Sequence, residues 1–386
     1  MDIAKKVDGL AESVIAFRRY IHENAELGMK EVLATKRIVE ELRKLPGIEV
    51  QDTAPGCIAV LKGKKPGKTL ALRADMDALP MVEESGLPFA SKNGACHSCG
   101  HDIHTSVLLG SAMVLSSMAD QISGTIKFLF QPAEETLEGA VHLLKHNAMD
   151  GVDNILALHT WPYGRVGTIG YKRGPMQASA DMVDITVTGR AGHAAYPQKS
   201  IDSVLIAAQI VTALQAVVAR QTDPLEAAVL TLGTINGGTA RNIIAPEVVM
   251  TGTVRTLSPE VRKNMPGLIE RIATNVAEAF GAKVDVNYMM GTPPVVNDNS
   301  MVDVLIEAAT QVVGAENVYD LETPTMGGED YAFYLEKAPG AFFRLCTAND
   351  DPQTQIAAHN AKIRYDESAI PLGMKVMCQA ALNYLK

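Results

Sequence analysis

Apolar side chains recur three or four positions apart in two segments near the start of the chain. The segments are residues 11–21 and residues 31–45, and Pro46 and Gly47 follow the second. This spacing predicts two amphipathic helices, and the proline and glycine end the second one. His22 comes at the end of the first helix, where we expect a polar cap or a surface group rather than a metal ligand.

Short apolar runs then alternate with helical segments. Strands are predicted at residues 57–63, 68–77, 125–130 and 154–158, and helices at residues 105–118 and 139–147. Strands that alternate with helices predict an α/β domain with a mixed, mostly parallel sheet flanked by helices. In open sheets of this class, ligands bind at the carboxyl ends of the strands.

A different pattern begins near Ala178, where apolar and polar residues alternate and predict a strand with one exposed face. The elements that follow are a helix at residues 200–220, strands at 227–235 and 248–256, a helix that opens at Ser258-Pro259, and a strand at 283–289. The order β-α-β-β-α-β is that of a ferredoxin-like α+β domain. We therefore expect a first domain in residues 1–177, an inserted domain in residues 178–290, and the rest of the first domain in residues 291–386.

Composition and charge narrow the classes of partner. Of the 386 residues, 47% are hydrophobic and 20% are charged, which is ordinary for a globular protein of about two to three domains. A formal net charge of −9 argues against nucleic acid or an anionic membrane as the main partner. Five scattered cysteines form no disulfide framework, and we see neither a signal peptide nor a run of ~18 apolar residues. A cytoplasmic protein is expected.

The segment GACHSCGHDIH, residues 94–104, concentrates the residue types that bind metal ions. It holds two of the five cysteines and three of the nine histidines. Cys99 and His101 can bring a thiolate and an imidazole to one metal ion, because Gly100 between them permits a tight turn. An isolated C-x-H motif is more often a loop with one inert, buried cysteine. The metal hypothesis therefore requires further ligands at the same place.

Further residues of ligand type follow the predicted strands of the parallel sheet. They are Asp75, Asp77, Glu134, Glu135, His159 and, if the last part of the chain completes the sheet, His359. Because the carboxyl ends of parallel strands meet at one edge, we expect these side chains to converge on one crevice.

Several motifs resemble those of the metal-dependent aminoacylase and carboxypeptidase superfamily. They are LRADMDALP, CGHD, QPAEE, LHTWP, GRAGHAAYP, GGTARNIIAP, GGEDYAFYL and the HN at His359. Within the superfamily they are most similar to the amidohydrolase branch, which includes hippurate hydrolases, indole-acetyl-amino-acid hydrolases and N-acetyldiaminopimelate deacetylases. The motifs lie in matching order over nearly the whole chain. The resemblance implies a catalytic domain interrupted by a smaller dimerisation or lid domain, which coincides with the division expected from the pattern.

The resemblance also implies a site for two divalent metal ions per subunit. Cys99 would bridge the two ions, where other branches carry Asp. His101 and Glu135 would complete one metal site, and His159 and His359 the other. Zinc is expected from the cysteine and histidine ligands, while manganese, cobalt and nickel are also compatible with the set.

The remaining roles come from the same resemblance. Glu134 would be the general base, and Asp77 would orient a ligand. His193, from the lid domain of the partner in a homodimer, would stabilise the oxyanion, although a histidine on such a loop is by default a surface residue. Asn242 and Arg255 match a pair that holds the substrate carboxylate, but Arg255 would fit a structural ion pair equally well.

Other polar residues near the motifs are expected to have supporting roles or none. His97 and His104 are expected to support ligands or pack in the loop, and Asp102 to be structural. Glu329 and Asp330 would line the pocket or cap the following helix. The role of Cys96 stays open, whereas Cys57, Cys346 and Cys378 are expected in the core.

The function expected from these observations is that of a dinuclear-metal amidohydrolase that cleaves the amide bond of an N-acyl amino acid, a small-molecule substrate. Two alternatives stay open: a dipeptidase or aminopeptidase of the same superfamily, and a non-catalytic metal-binding or interaction protein. Glu134 favours an enzyme, because a closed structural metal site has no need for a spare carboxylate.

Overall fold

The computed structural model describes residues 3–386. Its helices are α1 (Ile3–Glu23), α2 (Val32–Leu42), α3 (His101–Ser116), α4 (Gly139–Lys145), α5 (Ser203–Gln221), α6 (Pro259–Ala279), α7 (Asn299–Val313), α8 (Ala332–Leu335) and α9 (Ala369–Tyr384). Its strands are β1 (Ile48–Asp52), β2 (Cys57–Lys62), β3 (Lys65–Asp75), β4 (Ser123–Gln131), β5 (Asn154–Arg165), β6 (Ile169–Tyr171), β7 (Gly174–Gln177), β8 (Ala180–Thr188), β9 (Gly192–His193), β10 (Ala228–Gly237), β11 (Ile243–Ile244), β12 (Glu247–Thr256), β13 (Lys283–Thr292), β14 (Val295–Asn297), β15 (Val318–Asp320) and β16 (Gly340–Ala348).

The described residues divide into two compact units, and the first is discontinuous in sequence. It contains the chain up to Gly174 and the segments Val296–Thr323 and Asp330–Lys386. The second unit contains Pro175–Val295 and also Pro324–Glu329, an excursion that the sequence pattern did not indicate. The excursion belongs to the second unit because its backbone pairs there: the N–H of residue 178 donates to the carbonyl of residue 325 at 3.1 Å.

The first unit is built on an eight-stranded sheet. Its strand order is β1-β2-β4-β3-β5-β16-β6-β15. The four central strands, β4, β3, β5 and β16, are all parallel, whereas β1 and β2 extend the sheet in antiparallel fashion at one edge. Helices α1, α3 and α9 pack against one another beside this sheet. The architecture confirms the predicted mixed, mostly parallel sheet flanked by helices.

The second unit is built on a four-stranded antiparallel sheet in the order β10-β12-β8-β13. With α5 after β8 and α6 after β12, the topology is ferredoxin-like, as the pattern predicted. The alternating residues Val183, Ile185 and Val187 of β8 are buried. Both helices begin at capping side chains: Asp202 accepts from the first turn of α5, and Ser258 from Val261 N–H of α6.

Helix α5 is more apolar than the sequence analysis recognised. By length and composition alone it could cross a membrane, although about a third of its residues are buried inside the unit. Core helices of soluble proteins reach the same length and apolar composition. Here α5 packs against β10, β12 and α6, which accounts for one of its apolar faces.

Candidate metal centre

The turn before α3 places a thiol and an imidazole next to each other. Gly100 has φ 87°, and a Cβ there would lie 2.6 Å from Thr160 Oγ1, so this position requires glycine, as the motif predicted. Helix α3 begins directly at His101, whereas the hydrophobic spacing placed the start at Thr105. The spacing missed this first turn because three of its four residues, His101, Asp102 and His104, are polar even though they are buried.

His101 has one satisfied and one unsatisfied ring nitrogen. Its Nδ1 lies 3.1 Å from Asp77 Oδ1, as the predicted orienting role of Asp77 requires. Its Nε2 is buried and has no hydrogen-bond partner in the part of the chain that is described. Carboxylate oxygens of Asp75, Glu135 and Glu134 lie 3.7, 3.9 and 4.0 Å from Nε2, all beyond hydrogen-bonding distance. Three carboxylates around an unpartnered nitrogen leave a place for a cation.

Electrostatics at His101 agree with this geometry. Burial acts to lower the pKa of His101, but the negative charge of Asp75 and the hydrogen bond to Asp77 outweigh it, so the pKa lies well above its usual value. The surroundings therefore favour positive charge at this position, whether it is carried by a proton or by a metal ion.

Cys99 and His159 face each other across the same space. Cys99 Sγ lies 3.3 Å from His159 Nε2. Nδ1 of His159 donates to the Thr160 carbonyl at 2.8 Å, which leaves the Nε2 lone pair directed at the sulfur. Burial raises the pKa of the Cys99 thiol to about 12 and, with His104 nearby, takes the pKa of His159 well below its usual value. A metal ion would release the thiol proton and bind the neutral imidazole.

His159 lies within β5, not after a strand as predicted. The strand continues to Arg165 because it stays paired with β16, in which Arg344 is opposite His159. The apolar run that marked the strand ends at Leu158, but backbone pairing continues where the side chains become polar.

Glu135 and His359 make a second donor contact. His359 Nε2 lies 3.2 Å from Glu135 Oε1. The backbone of His359 is left-handed, with φ 64°, and its N–H donates to the Ser98 carbonyl at 3.1 Å. This bond attaches the last segment of the chain to the loop that carries Cys99.

The donors gather in two overlapping groups that share Cys99. One group is Cys99, His101 and His159, and the other is Cys99, Glu135 and His359; within each, the donor atoms lie within 4.8 Å of one another. A third group joins His101 and Glu135 to Glu134. The resemblance implied that His101 pairs with Glu135 and His159 with His359. The third group contains the first of these pairs. His159 lies in the group of His101, and the two rings have a centroid distance of 5.9 Å.

Asp75 positions His104 by a hydrogen bond, and the sequence did not indicate this role. Its Oδ1 lies 2.6 Å from His104 Nδ1. His104 Nε2 accepts the N–H of Thr160 at 2.8 Å, so both ring nitrogens are used and His104 is a supporting residue, as expected. His101 and His104 are three residues apart and share one side of α3, a spacing that could have indicated their proximity.

Arg73 connects Asp75 to Asp330. The guanidinium donates to Asp75 Oδ2 and to Asp330 Oδ1, each at 2.8 Å. Asp330 Oδ2 also accepts the N–H of Ala140 at 2.9 Å, so it caps α4.

A buried ion cluster attaches α1 to the start of α3. Asp102 Oδ2 lies 2.6 Å from Arg18 Nε and 2.8 Å from His22 Nδ1, and His22 Nε2 lies 2.9 Å from Glu83 Oε1. Asp102 is structural, as expected. His22 is only 3% exposed, so its expected place as a cap or surface group was wrong. Helical spacing identified the polar side of α1 but not the loop that covers it.

His97 and the five cysteines all lie inside the protein. Neither ring nitrogen of the buried His97 has a hydrogen-bond partner among the described residues. Burial lowers its pKa to about 4. All five cysteines are free and buried, which confirms the core positions of Cys57, Cys346 and Cys378.

The second unit contains the three residues that are predicted to contact the substrate: His193, Asn242 and Arg255. His193 pairs with Ile243 in a small ribbon formed by β9 and β11, and the N–H of Ala194 donates to the Asn242 carbonyl at 3.1 Å. His193 and Asn242 are therefore neighbours, and both are exposed. Arg255 lies on β12.

Comparisons with known proteins agree with the architecture. The chain matches the model of peptidase family M20/M25/M40 over residues 71–383. It is 38% identical to N-acetylcysteine deacetylase from Bacillus subtilis, over 97% of each chain. It is 37% identical to thermostable carboxypeptidase 2 from Saccharolobus solfataricus, over 100% of this chain and 99% of that one. The crystal structure of the YXEP protein of Bacillus subtilis, a dinuclear metal binding peptidase from the M20 family, is similar with a TM-score of 0.87, 34% identity and coverage of 98% and 99%.

Proposed function

This chain belongs to peptidase family M20/M25/M40, and from that premise we propose that it is a dinuclear-metal amidohydrolase that removes the acyl group from an N-acyl amino acid. The observation that carries the proposal is the buried Nε2 of His101. It has no hydrogen-bond partner among the described residues, three carboxylates surround it, and His101 belongs to one of the two donor groups that share Cys99. The name of a full-length relative, N-acetylcysteine deacetylase, indicates the class of substrate.

The donor set fits two divalent metal ions. Cys99, His101 and His159 would hold one ion, and Cys99, Glu135 and His359 the other. A shared thiolate would neutralise part of the charge of both ions, and the buried Nε2 of His101 would gain the partner that it lacks. Zinc suits thiolate and imidazole ligands; manganese, cobalt and nickel are compatible with the imidazoles and the carboxylate.

When bound, the metal ions would polarise the substrate carbonyl and lower the pKa of the attacking water. Glu134 belongs to neither of the two groups that contain Cys99, and in this proposal it takes the proton from that water and passes it to the leaving nitrogen. Asp77 keeps the proton of His101 on Nδ1, and its Oδ2 accepts the N–H of Glu135 at 3.0 Å. One carboxylate thus orients two ligands.

The second unit would supply the contacts to the substrate. His193 would donate to the oxyanion across the interface of a homodimer, while Asn242 and Arg255 would bind the substrate carboxylate. Arg255 suits that role because its guanidinium can donate two parallel hydrogen bonds and has no competing carboxylate within the described residues.

An apolar surface in the second unit supports the homodimer. β10 is the last strand of its sheet, and Val229 and Ile235 on it are 39% and 53% exposed. Val204 and Leu205 of α5, which packs against β10, are 48% and 49% exposed. An unpaired edge strand beside exposed apolar side chains is suited to pairing with a second copy. The same surface accounts for the apolar composition of α5.

The free cysteines support a cytoplasmic location, where thiols stay reduced. We place the enzyme there.

A substrate panel tests the proposal. Protein loaded with zinc or manganese is assayed on acetyl, benzoyl and indole-acetyl amino acids beside dipeptides, and kcat/KM is compared. Higher values for N-acyl amino acids are expected. Preferential cleavage of dipeptides would instead establish a peptidase, the second candidate, which the carboxypeptidase relative favours. Failure to cleave either class at full metal content would indicate a non-catalytic metal-binding protein.

A further inference from the structure

The loop that carries Glu134 and Glu135 contains two non-glycine residues with left-handed backbone, Ala133 and Leu137, and Ala133 directly precedes Glu134. Ala133 has φ 53°, in the left-handed region that residues with a Cβ rarely adopt. Its carbonyl accepts the N–H groups of Glu138 and Gly139 at 3.2 and 3.1 Å. The direction in which the two acids leave the backbone therefore depends on a conformation that alanine by itself disfavours.

A carboxyl group from a distant part of the chain holds this residue. Glu31 Oε1 accepts the N–H of Ala133 at 2.8 Å. On the other side of Glu134, Asp77 Oδ2 accepts the N–H of Glu135 at 3.0 Å. Two acidic side chains thus hold the backbone immediately before and immediately after Glu134.

From this contact we infer that Glu31 is a positioning residue for Glu134: it holds the loop of the general base in its working conformation. The inference rests on the proposed function, in which Glu134 moves the proton. Glu31 belongs to none of the groups of metal-binding side chains among the described residues, so we assign it no ligand role.

The side chain of Glu31 does not cap α2, although its position directly before that helix would allow it. Glu31 directly precedes α2, where an acidic side chain commonly interacts with the free N–H groups of the first turn, yet it makes no such bond. Glu26 takes that place, since its two carboxylate oxygens accept the N–H groups of Leu33 and Ala34 at 3.0 and 2.9 Å. The carboxylate of Glu31 is therefore available for the loop of Glu134.

The burial of Glu31 indicates a role beyond stability. The residue is 0% exposed, and its Oε2 has no hydrogen-bond partner in the described chain. Burial, together with the charge of Asp77, raises its pKa to about 8. A buried carboxyl group with one unpartnered oxygen costs free energy that an apolar side chain would not. The N–H of Ala133 is the contact of this carboxyl group that comes from a distant part of the chain, since the backbone N–H groups of Lys30 and Glu31 are its own neighbours.

The backbone at Gly28 also restricts the conformation of Ala133. A Cβ on Gly28 would lie 3.2 Å from both Cα and Cβ of Ala133, so the turn between α1 and α2 packs tightly against that residue. Gly28 confines Ala133 sterically, while Glu31 fixes the direction of its N–H group.

The test compares three variants in metal-loaded protein. Glu31→Ala should lower kcat by about 10- to 100-fold, because small misplacement of a catalytic group costs this much, with KM and metal content within about twofold of wild type. Glu31→Gln keeps an oxygen acceptor for the N–H of Ala133 and should stay within about threefold of the wild-type kcat. Glu26→Ala removes the α2 cap without touching Ala133, so it should lower the melting temperature and leave kcat unchanged. If Glu31→Ala does not fold, Glu31→Asp replaces it with the same expectation, since the shorter side chain withdraws the acceptor.

Hydrogen exchange of the Ala133 amide provides a readout independent of turnover. In metal-free protein, Glu31→Ala should accelerate that exchange at least about tenfold, and Glu26→Ala should not. A wild-type kcat in folded, metal-loaded Glu31→Ala, or equal losses of kcat in Glu31→Ala and Glu26→Ala, would overturn the inference. Wild-type protein that cleaves no N-acyl amino acid would refute the proposed function instead, and the exchange measurement would still test the contact between Glu31 and Ala133.

Discussion

His101 illustrates how much of the site depends on the two sides of one ring. Nδ1 is held by Asp77, whose other oxygen holds the backbone of Glu135, so one carboxylate links a ligand on α3 to a ligand on the loop after β4. Nε2 points to the space shared with Cys99. A change at Asp77 is therefore expected to disturb both donor groups, whereas a change at Glu134 should disturb neither.

The variant Glu134→Gln tests whether activity can be lost while the metal ions stay bound. It should keep about two metal ions per subunit and lose at least about 10²-fold in kcat, because an amide cannot accept the proton. Metal content by mass spectrometry and kcat on the best N-acyl substrate check it. Glu138→Gln, an exposed acid on the same loop, is the matched control and should retain wild-type activity. Retained turnover in Glu134→Gln would remove this residue from its assigned role.

Glu31 should give the stability of the protein a measurable pH dependence. Its pKa is about 8 in the folded chain and near 4.5 when unfolded, so between these values the folded state binds the proton and the unfolded state does not. Stability should then fall as pH rises, by about 1.4 kcal/mol per pH unit from this residue. This pH-dependent loss is absent in Glu31→Gln. The free energy of unfolding of the variant, relative to that of wild type, should therefore rise by about 2–3 kcal/mol between about pH 5.5 and about pH 7.5. Urea unfolding of metal-free protein measures it, and parallel pH profiles for the two proteins would contradict the assignment.

At the scale of elements, α1 matters to the site although it provides no ligand. Arg18 and His22 on α1 surround Asp102, the residue next to His101 at the start of α3. The cluster fixes where α3 begins relative to α1. It also explains why a helix whose first turn is almost entirely polar can be buried there.

Asp102→Asn should therefore destabilise the first unit strongly. It removes the buried negative charge between Arg18 and His22 and should cost about 3–5 kcal/mol, since Arg18 then keeps only Glu367, and His22 only Glu83, as an ion-pair partner. Chemical denaturation of metal-free protein measures the loss. Asp8→Asn is the control, because Asp8 is 63% exposed and its ion pair with Lys375 should contribute at most about 1 kcal/mol. Equal losses in the two variants would show that the cluster is not a stabilising one.

At the scale of the whole molecule, the main question is whether one chain is sufficient for activity. The metal donors all come from the first unit, whereas His193, Asn242 and Arg255 come from the second. The apolar surface formed by β10 and α5 favours a second copy as the source of His193. A dimer would also explain an edge strand that would otherwise expose its backbone groups.

Mixing two inactive variants tests this sharing of the site. His193→Ala and Glu134→Gln proteins should each be inactive, and after subunit exchange they should recover roughly a quarter of wild-type activity, because half of the dimers are mixed and each mixed dimer has one intact site. Native mass spectrometry confirms the exchange. No recovery in demonstrated mixed dimers would show that His193 does not act across the interface.

Local sequence was sufficient for those features that depend on neighbouring residues. Alternating strands and helices predicted the parallel sheet, the β-α-β-β-α-β order predicted the topology of the second unit, and Gly100 predicted the tight turn. Periodicity reports which face of an element is buried, and motifs report residue types at short spacing. Both signals are local, so neither depended on the packing of distant elements.

Only the tertiary structure decided which distant residues meet. It grouped His159 with His101, placed His22 in a buried cluster, extended β5 beyond Leu158 and directed Glu31 toward Ala133. These outcomes follow from the packing of helices on the sheet and from pairing between strands far apart in the chain. The local sequence around an acidic residue or a histidine is the same whether the side chain lies on the surface or in a site. Its partners are determined by the path of the whole backbone.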